Sequence, residues 1–185
     1  MAERADALGA YRALPVSRRE TLLRLGRGAG VAAPVLGLLQ GKAAALPKGD
    51  DTDLAILDAS VALEHQAIWV YDEGLRRNLF PAGLRSYAVE FRGDHQGHRD
   101  TQIAIAEERG GQPPPAFSSY PVGTLREGDD MIREALLIEE AAQSAYLALV
   151  SRIRARDYLL SAAFILVDEV RHMTVWRRVR GLRIY

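Results

Sequence analysis

The stretch FILVDEVRHMTVW, residues 164–176, is mostly apolar yet carries Asp168, Glu169, Arg171 and His172. Glu169 and His172 are three apart, so a helix places both on one face. Taken alone, the pair reads as a surface Glu–His contact on an ordinary amphipathic helix. Its weight comes from an earlier counterpart, DHQGH, residues 94–98. In both runs an Asp is followed by a potential metal ligand, two further residues and a His.

The rest of the chain repeats in the same sense. LEHQAIWVY, residues 63–71, and IEEAAQSAY, residues 138–146, each hold a Glu with a Tyr seven places on, two turns along one helix face. Glu64 precedes His98 by 34 residues and Glu139 precedes His172 by 33. Two halves of the chain therefore read as a duplicated helical hairpin.

Apolar spacing supplies four helical segments. Segment A follows an Asp/Thr-rich cap (Asp50, Asp51, Thr52, Asp53) and runs to about Arg77, with Leu57, Val61, Glu64, Ile68, Tyr71 and Leu75 on one face. Segment B runs from about Leu84 to Glu108 and stops at Gly110-Gly111. Its face holds Ala88, Phe91, His95, His98, Gln102 and Ile105. Segment C runs from Asp129-Asp130 to about Ser151, with Ile132, Leu136, Glu139, Gln143, Tyr146 and Val150 on one face. Segment D spans about Asp157 to Arg180 and turns Ile165, Glu169, His172 and Trp176 inward. The A–B and C–D links are short, which makes antiparallel neighbours. The B–C link, GGQPPPAFSSYPVGTLREG, residues 110–128, is long and its prolines block helix. It suits an all-α four-helix bundle with a B–C crossover, in which B and C run parallel.

With these motifs in place, the chain resembles the ferritin-like superfamily, and within it the exported bacterial ferritin-like domain proteins that carry a twin-arginine leader. The resemblance implies a bundle with a Glu on two helices and Glu-x-x-His on the other two. Carried over position by position, it makes Glu64, His98, Glu139, Glu169 and His172 metal ligands. The departure is His95, where the family pattern has Glu. An imidazole can ligate there but cannot bridge two ions as a carboxylate does. The set His95, His98, His172, Glu64, Glu139 and Glu169 then has one negative charge fewer than usual, which admits one ion or an asymmetric pair. Asp94 offers a carboxylate one position off the face. Tyr71 and Tyr146 read either as partners of the ligands or as core. His65 reads as exposed, Trp69 and Trp176 as core or interface aromatics, and Glu140 as a weaker ligand than Glu139. The resemblance implies a transition metal, iron or manganese first, with zinc or copper also served by imidazole.

Composition bounds the alternatives. The chain has 185 residues, 48% hydrophobic and 26% charged, enough for one globular core. It has no cysteine, which excludes disulfides and thiolate sites and leaves His, Asp and Glu as the strong metal ligands. Residues 1–45 read as a leader: Arg18-Arg19 after Ser17 resembles a twin-arginine export signal, a Gly-rich apolar stretch follows, and Ala43-Ala44-Ala45 is a small-residue cleavage pattern. Gly26, Gly28, Gly30 and Pro34 make that stretch a poor membrane span, so it anchors only if retained. Of the 24 basic and 24 acidic residues the leader holds seven and three, leaving 17 and 21 in residues 46–185. That mildly acidic body argues against nucleic acid as a partner. Arg177, Arg178, Arg180 and Arg183 read as cations at the end of a helix, opposing its dipole.

The expected function is a periplasmic ferritin-like protein, exported by the twin-arginine translocation machinery. It would hold one or two transition-metal ions for redox chemistry with O2 or peroxide. A non-catalytic metal-binding or storage protein is the alternative, as is a structural or adaptor subunit of an envelope complex with a vestigial site. Homo-oligomerisation is left open.

Overall fold

The computed structural model of the protein describes residues 50–184; the leader read at residues 1–45 lies outside the described residues. Among the described residues, four long helices dominate: α1 (Asp50–Arg76), α2 (Arg85–Glu108), α3 (Gly128–Val150) and α4 (Arg156–Val179), with one 3-10 turn, Ala82–Leu84, before α2. No strand occurs among the described residues. Apart from α1, which begins at Asp50 inside the run read as its cap, the helix bounds fall within a residue or so of the segments expected from apolar spacing. That agreement arises because breakers sit where the periodicity stops. Gly110 (φ 75°) and Gly181 (φ 63°) follow α2 and α4 in the left-handed conformation. There the amide of Gly111 reaches back to Ala106 O (2.8 Å) and that of Leu182 to Arg177 O (2.9 Å).

Side-chain pairings set the directions. Between α1 and α3, Glu64 meets Tyr146 while Tyr71 meets Glu139, so partner numbers fall as α1 numbers rise. Between α2 and α4, Asp94 meets His172 and His98 meets Asp168, again in opposite order. Both of these packed pairs are antiparallel, as are the two hairpins, so α2 and α3 run parallel and residues 109–127 must return the full length of the bundle. For a helix of this size that is roughly 36 Å. The returning segment is tied to α1 and its C-terminal end at three levels: His65 Nε2 to Pro114 O (3.2 Å), Trp69 Nε1 to Ser118 O (3.2 Å) and Arg77 Nη2 to Leu125 O (2.6 Å). His65 is thus half-buried under the crossover rather than exposed, and Trp69 also packs on Tyr120.

Asp53 also departs from the sequence reading. It does not serve its own helix. Its carboxylate, 4% exposed, accepts the backbone N–H groups of Arg154 (3.0 Å) and Ala155 (2.8 Å), immediately before α4. Arg180, read as a cation at the end of α4, is 3% exposed, and its Nε has no partner among the described residues. Ile105, Gln143 and Val150 are only partly buried.

Two apolar clusters fill the bundle. One gathers Tyr71, Phe80, Leu84, Phe91, Met131, Ile132 and Trp176. The other gathers Ile56, Leu57, Leu63, Tyr146, Tyr158, Ala162 and Ile165. Between them lies a layer of ionisable side chains that the two clusters seal from water. On the outside, α4 presents Leu160, Phe164 and Val167, all more than half exposed. Among the described residues, no helix is long and apolar enough to cross a membrane.

Two glycines test the packing in opposite directions. A Cβ on Gly74 would stand 2.4 Å from Met131 Sδ and 2.6 Å from Phe80 Cε2, both side chains being locked in the core. Gly74→Ala is expected to cost about 1–3 kcal/mol through overpacking. Gly97, exposed in mid-α2, has nothing within 4 Å of the same position, so Gly97→Ala should stabilise by about 0.5–1 kcal/mol. Urea unfolding midpoints of the two variants, moving apart from the parent, check both.

Candidate metal centre

The six side chains singled out in the sequence converge in the sealed layer. Glu64 (1% exposed) comes from α1, His95 (0%) and His98 (8%) from α2, Glu139 (0%) from α3, and Glu169 and His172 (both 0%) from α4. Removing so many ionisable groups from water costs several kcal/mol each unless partners replace the lost hydration. The partners fall into a pseudo-twofold pattern. Tyr146 donates to Glu64 Oε1 (2.5 Å), and Tyr71 donates to Glu139 Oε1. Behind these phenols stand a second matched pair: Trp176 Nε1 donates to Tyr71 Oη (2.7 Å) and Gln102 Nε2 to Tyr146 Oη. The tyrosines are therefore hydrogen-bonded to the carboxylates and also built into the core.

The aspartates of the repeat complete the pattern. His172 Nε2 donates to Asp94 Oδ2 (3.0 Å) and His98 Nε2 to Asp168 Oδ2 (3.3 Å). Each aspartate serves the histidine of the opposite hairpin, which turns the Nδ1 atoms of both rings inward. The sequence reading gave neither aspartate this role, although their shared place, four residues before a His, was the available signal. Arg171 joins Asp94 and Glu90 at the solvent edge, and Glu140 is taken by Arg177.

Charge is distributed unevenly. Burial pushes the Glu64 carboxyl up, but the facing His95 and His98 outweigh it and hold it to about 2. Burial likewise opposes ionisation of Glu139, yet His95 and His172 bring it well below the usual carboxylate range. Glu169 goes the other way: burial, together with Glu139 and Glu64, lifts it well above that range despite His95 and His98. Burial disfavours the charged His98 ring, but Glu169 and Glu64 raise it to about 10. His95 is raised as well, by Glu169 and Glu139 against burial.

The layer nonetheless leaves donors without partners. His98 Nδ1, His172 Nδ1, Glu139 Oε2 and both carboxylate oxygens of Glu169 are buried and make no hydrogen bond among the described residues. Yet His98 Nδ1 lies 3.3 Å from Glu169 Oε1 and His172 Nδ1 lies 3.4 Å from Glu139 Oε2. Lone-pair donors aimed at one another in a dry interior suit a cation. Two overlapping groups have ligand atoms within 4.8 Å of one another: Glu64, His95, His98 and Glu169, and His95, Glu139, Glu169 and His172. These buried His/Glu groups could hold a metal ion, and their mixed N/O chemistry fits a transition metal better than calcium or magnesium.

The ferritin-like domain family matches residues 52–182. No curated protein matches the chain. Among solved structures, a conserved hypothetical protein from Mycobacterium tuberculosis aligns with a TM-score of 0.65 at 28% identity, over 70% of this chain and 90% of that one.

Proposed function

Because the chain belongs to the ferritin-like domain family, we propose that it is a metalloprotein that holds iron or manganese in the layer between its helices and reacts with O2 or peroxide. The observation that carries this reading is the set of five buried donor atoms without hydrogen-bond partners, drawn from α2, α3 and α4. Glu64, His95, His98, Glu139, Glu169 and His172 are the ligand candidates. Asp94 and Asp168 orient two of the imidazoles, and Tyr71 and Tyr146 hold a carboxylate each. A bound iron or manganese ion supplies one-electron redox chemistry. The apolar clusters on either side exclude bulk water from it. The reading includes export by the twin-arginine route, on the strength of residues 1–45, so that a folded, loaded protein reaches the periplasm.

Elemental analysis of protein isolated from its own cells tests the proposal. At least one equivalent of iron or manganese, with iron-dependent O2 or peroxide consumption, is expected. Less than about half an equivalent of any transition metal, lost without consequence for folding, would sink it. Burial favours a second reading, a non-catalytic metal holder, since no member of the ligand set is more than 8% exposed. Metal present without turnover supports that version. Intact mass of the exported protein, 45 residues short at the N-terminus, tests the leader.

A further inference from the structure

The arginines at the end of α4 are not needed to cap it. Its last carbonyls are met by the backbone: Trp176 O accepts the N–H of Arg180 (3.0 Å), Arg178 O that of Gly181 (3.1 Å) and Arg177 O that of Leu182 (2.9 Å). The side chains of Arg177 and Arg180 instead line, with Arg133 of α3, a pocket of about 120 Å³ walled by Leu136, Leu137 and Leu182. None of these residues belongs to the candidate metal centre. Two of the arginines are paired. Arg177 Nη1 donates to Glu140, and Arg133 Nη2 donates to Asp129 (2.6 Å), with Asp130 3.2 Å away. Arg180 is different. It is 3% exposed, and its Nε–H has no hydrogen-bond partner among the described residues. Burial pulls it below the usual arginine value, Asp129 and Glu140 offset that only in part, and Arg133 opposes them.

We infer that this pocket binds a small tetrahedral oxyanion of the phosphate class, with Arg180 as its buried anchor and Arg133 and Arg177 at its mouth. An arginine keeps its charge inside a protein, and an unpaired guanidinium in the interior is costly until an anion meets it. Asp129, Asp130 and Glu140 are matched by Arg133, Arg126 and Arg177, so among these groups the charge of Arg180 is left over. Each arginine carries five N–H donors. Arg133 and Arg177 therefore keep donors beyond their ion pairs, and three guanidinium forks on one pocket serve more acceptors than the two oxygens of a carboxylate. Size agrees. A pocket of about 120 Å³ has room for about four waters at roughly 30 Å³ each, which suits an anion of five heavy atoms and is too small for a nucleotide. The leucine walls lower the local dielectric and strengthen the attraction. Arg133 and Arg177 are partly exposed, which gives the anion a way in from solvent.

Isothermal titration of the protein with inorganic phosphate tests this. One saturable site tighter than about 1 mM is expected, with a higher thermal midpoint when phosphate is present. Arg180→Met should weaken binding at least about tenfold and remove the thermal gain. Arg178→Gln, at an exposed residue of the same helix end, should leave both unchanged. Chelation of metal should not alter phosphate binding, because the pocket shares no residue with the buried layer. Acetate, with two oxygens, should bind at least about tenfold more weakly than phosphate. No saturable site tighter than about 1 mM in the parent chain, or undiminished binding by Arg180→Met, would overturn the inference. So would loss on chelation, which places the anion on a metal, or equal affinity for acetate. Tighter binding of phosphoserine than of phosphate would also overturn it, making the ligand a phosphorylated partner rather than a free anion. Far-UV circular dichroism shows whether Arg180→Met folds. If it does not, Arg180→Lys, which keeps the charge without the planar fork, should show the same loss in smaller measure.

Discussion

A transition-metal dication at a fixed concentration, about a thousandfold its Kd at pH 7, should raise the thermal midpoint of the metal-free protein by about 8–16 °C, more at pH 8 than at pH 6. Binding at that excess contributes about 4 kcal/mol, and each kcal/mol moves a chain of this size by about 2–4 °C. The pH dependence follows from the buried layer. The raised values of His95 and His98 contribute stability that is full below the ordinary imidazole value of 6.5. It is lost as pH climbs, for His98 toward about 10. Glu169, raised above 4.5, adds to that loss, because the unfolded chain releases its proton before the folded one does. Glu64 and Glu139 act at the acid end. Their depressed values give stability above 4.5 that disappears as pH falls, for Glu64 through about 2. The metal-free protein should therefore be most stable between about pH 4.5 and 6.5 and weaken toward pH 9. Metal reverses the alkaline limb, since its ligands must be deprotonated to bind. Thermal unfolding with and without metal across this range checks both statements. A metal-free midpoint that climbs from pH 6 to 9, or one indifferent to metal, would contradict them.

The second large effect lies at Trp176. Its ring is fully buried, stacked with Phe80 at 5.8 Å between centroids and edge-on to Phe91 at 5.6 Å. Trp176→Ala should cost about 3–5 kcal/mol, the usual range for emptying so large a core position. The consequences extend beyond the cavity, because its indole N–H holds Tyr71, which in turn holds Glu139. Trp176→Phe isolates this polar part. It retains most of the ring contact and leaves the Tyr71 oxygen without its donor, for an expected loss of about 1–3 kcal/mol. Denaturant unfolding separates the two variants. Equal losses in both would mean that the hydrogen-bonded chain contributes little.

Much of the candidate site was legible because the helical period is local and the hairpin is duplicated. Glu64, His95, His98, Glu139, Glu169 and His172 could be placed on inward faces from spacing alone, and all six are buried. Asp94 and Asp168 were visible as repeated residues but not as partners. Each sits beside the inward face of its own helix and finds its histidine on the opposite hairpin, 78 and 70 residues away. His65 was misjudged for a related reason. It is off the inward face of α1, but the crossover covers that side.

The amino-acid sequence by itself determined four helices, their inward faces and the need for a long return between the second and third. Those follow from periodicities and breakers that act within one or two turns. Only the tertiary structure decided how the buried charges divide. Tyr71 with Glu139, Tyr146 with Glu64, and His95 between two glutamates are contacts across helices, separated by 68, 82, 31 and 44 residues. No local rule chooses which carboxylate stands closer to the shared His95 ring. That choice is made where helices pack, by a few tenths of an ångström in a dry interior, and it separates Glu64 from Glu139 despite their equivalent places in the repeat.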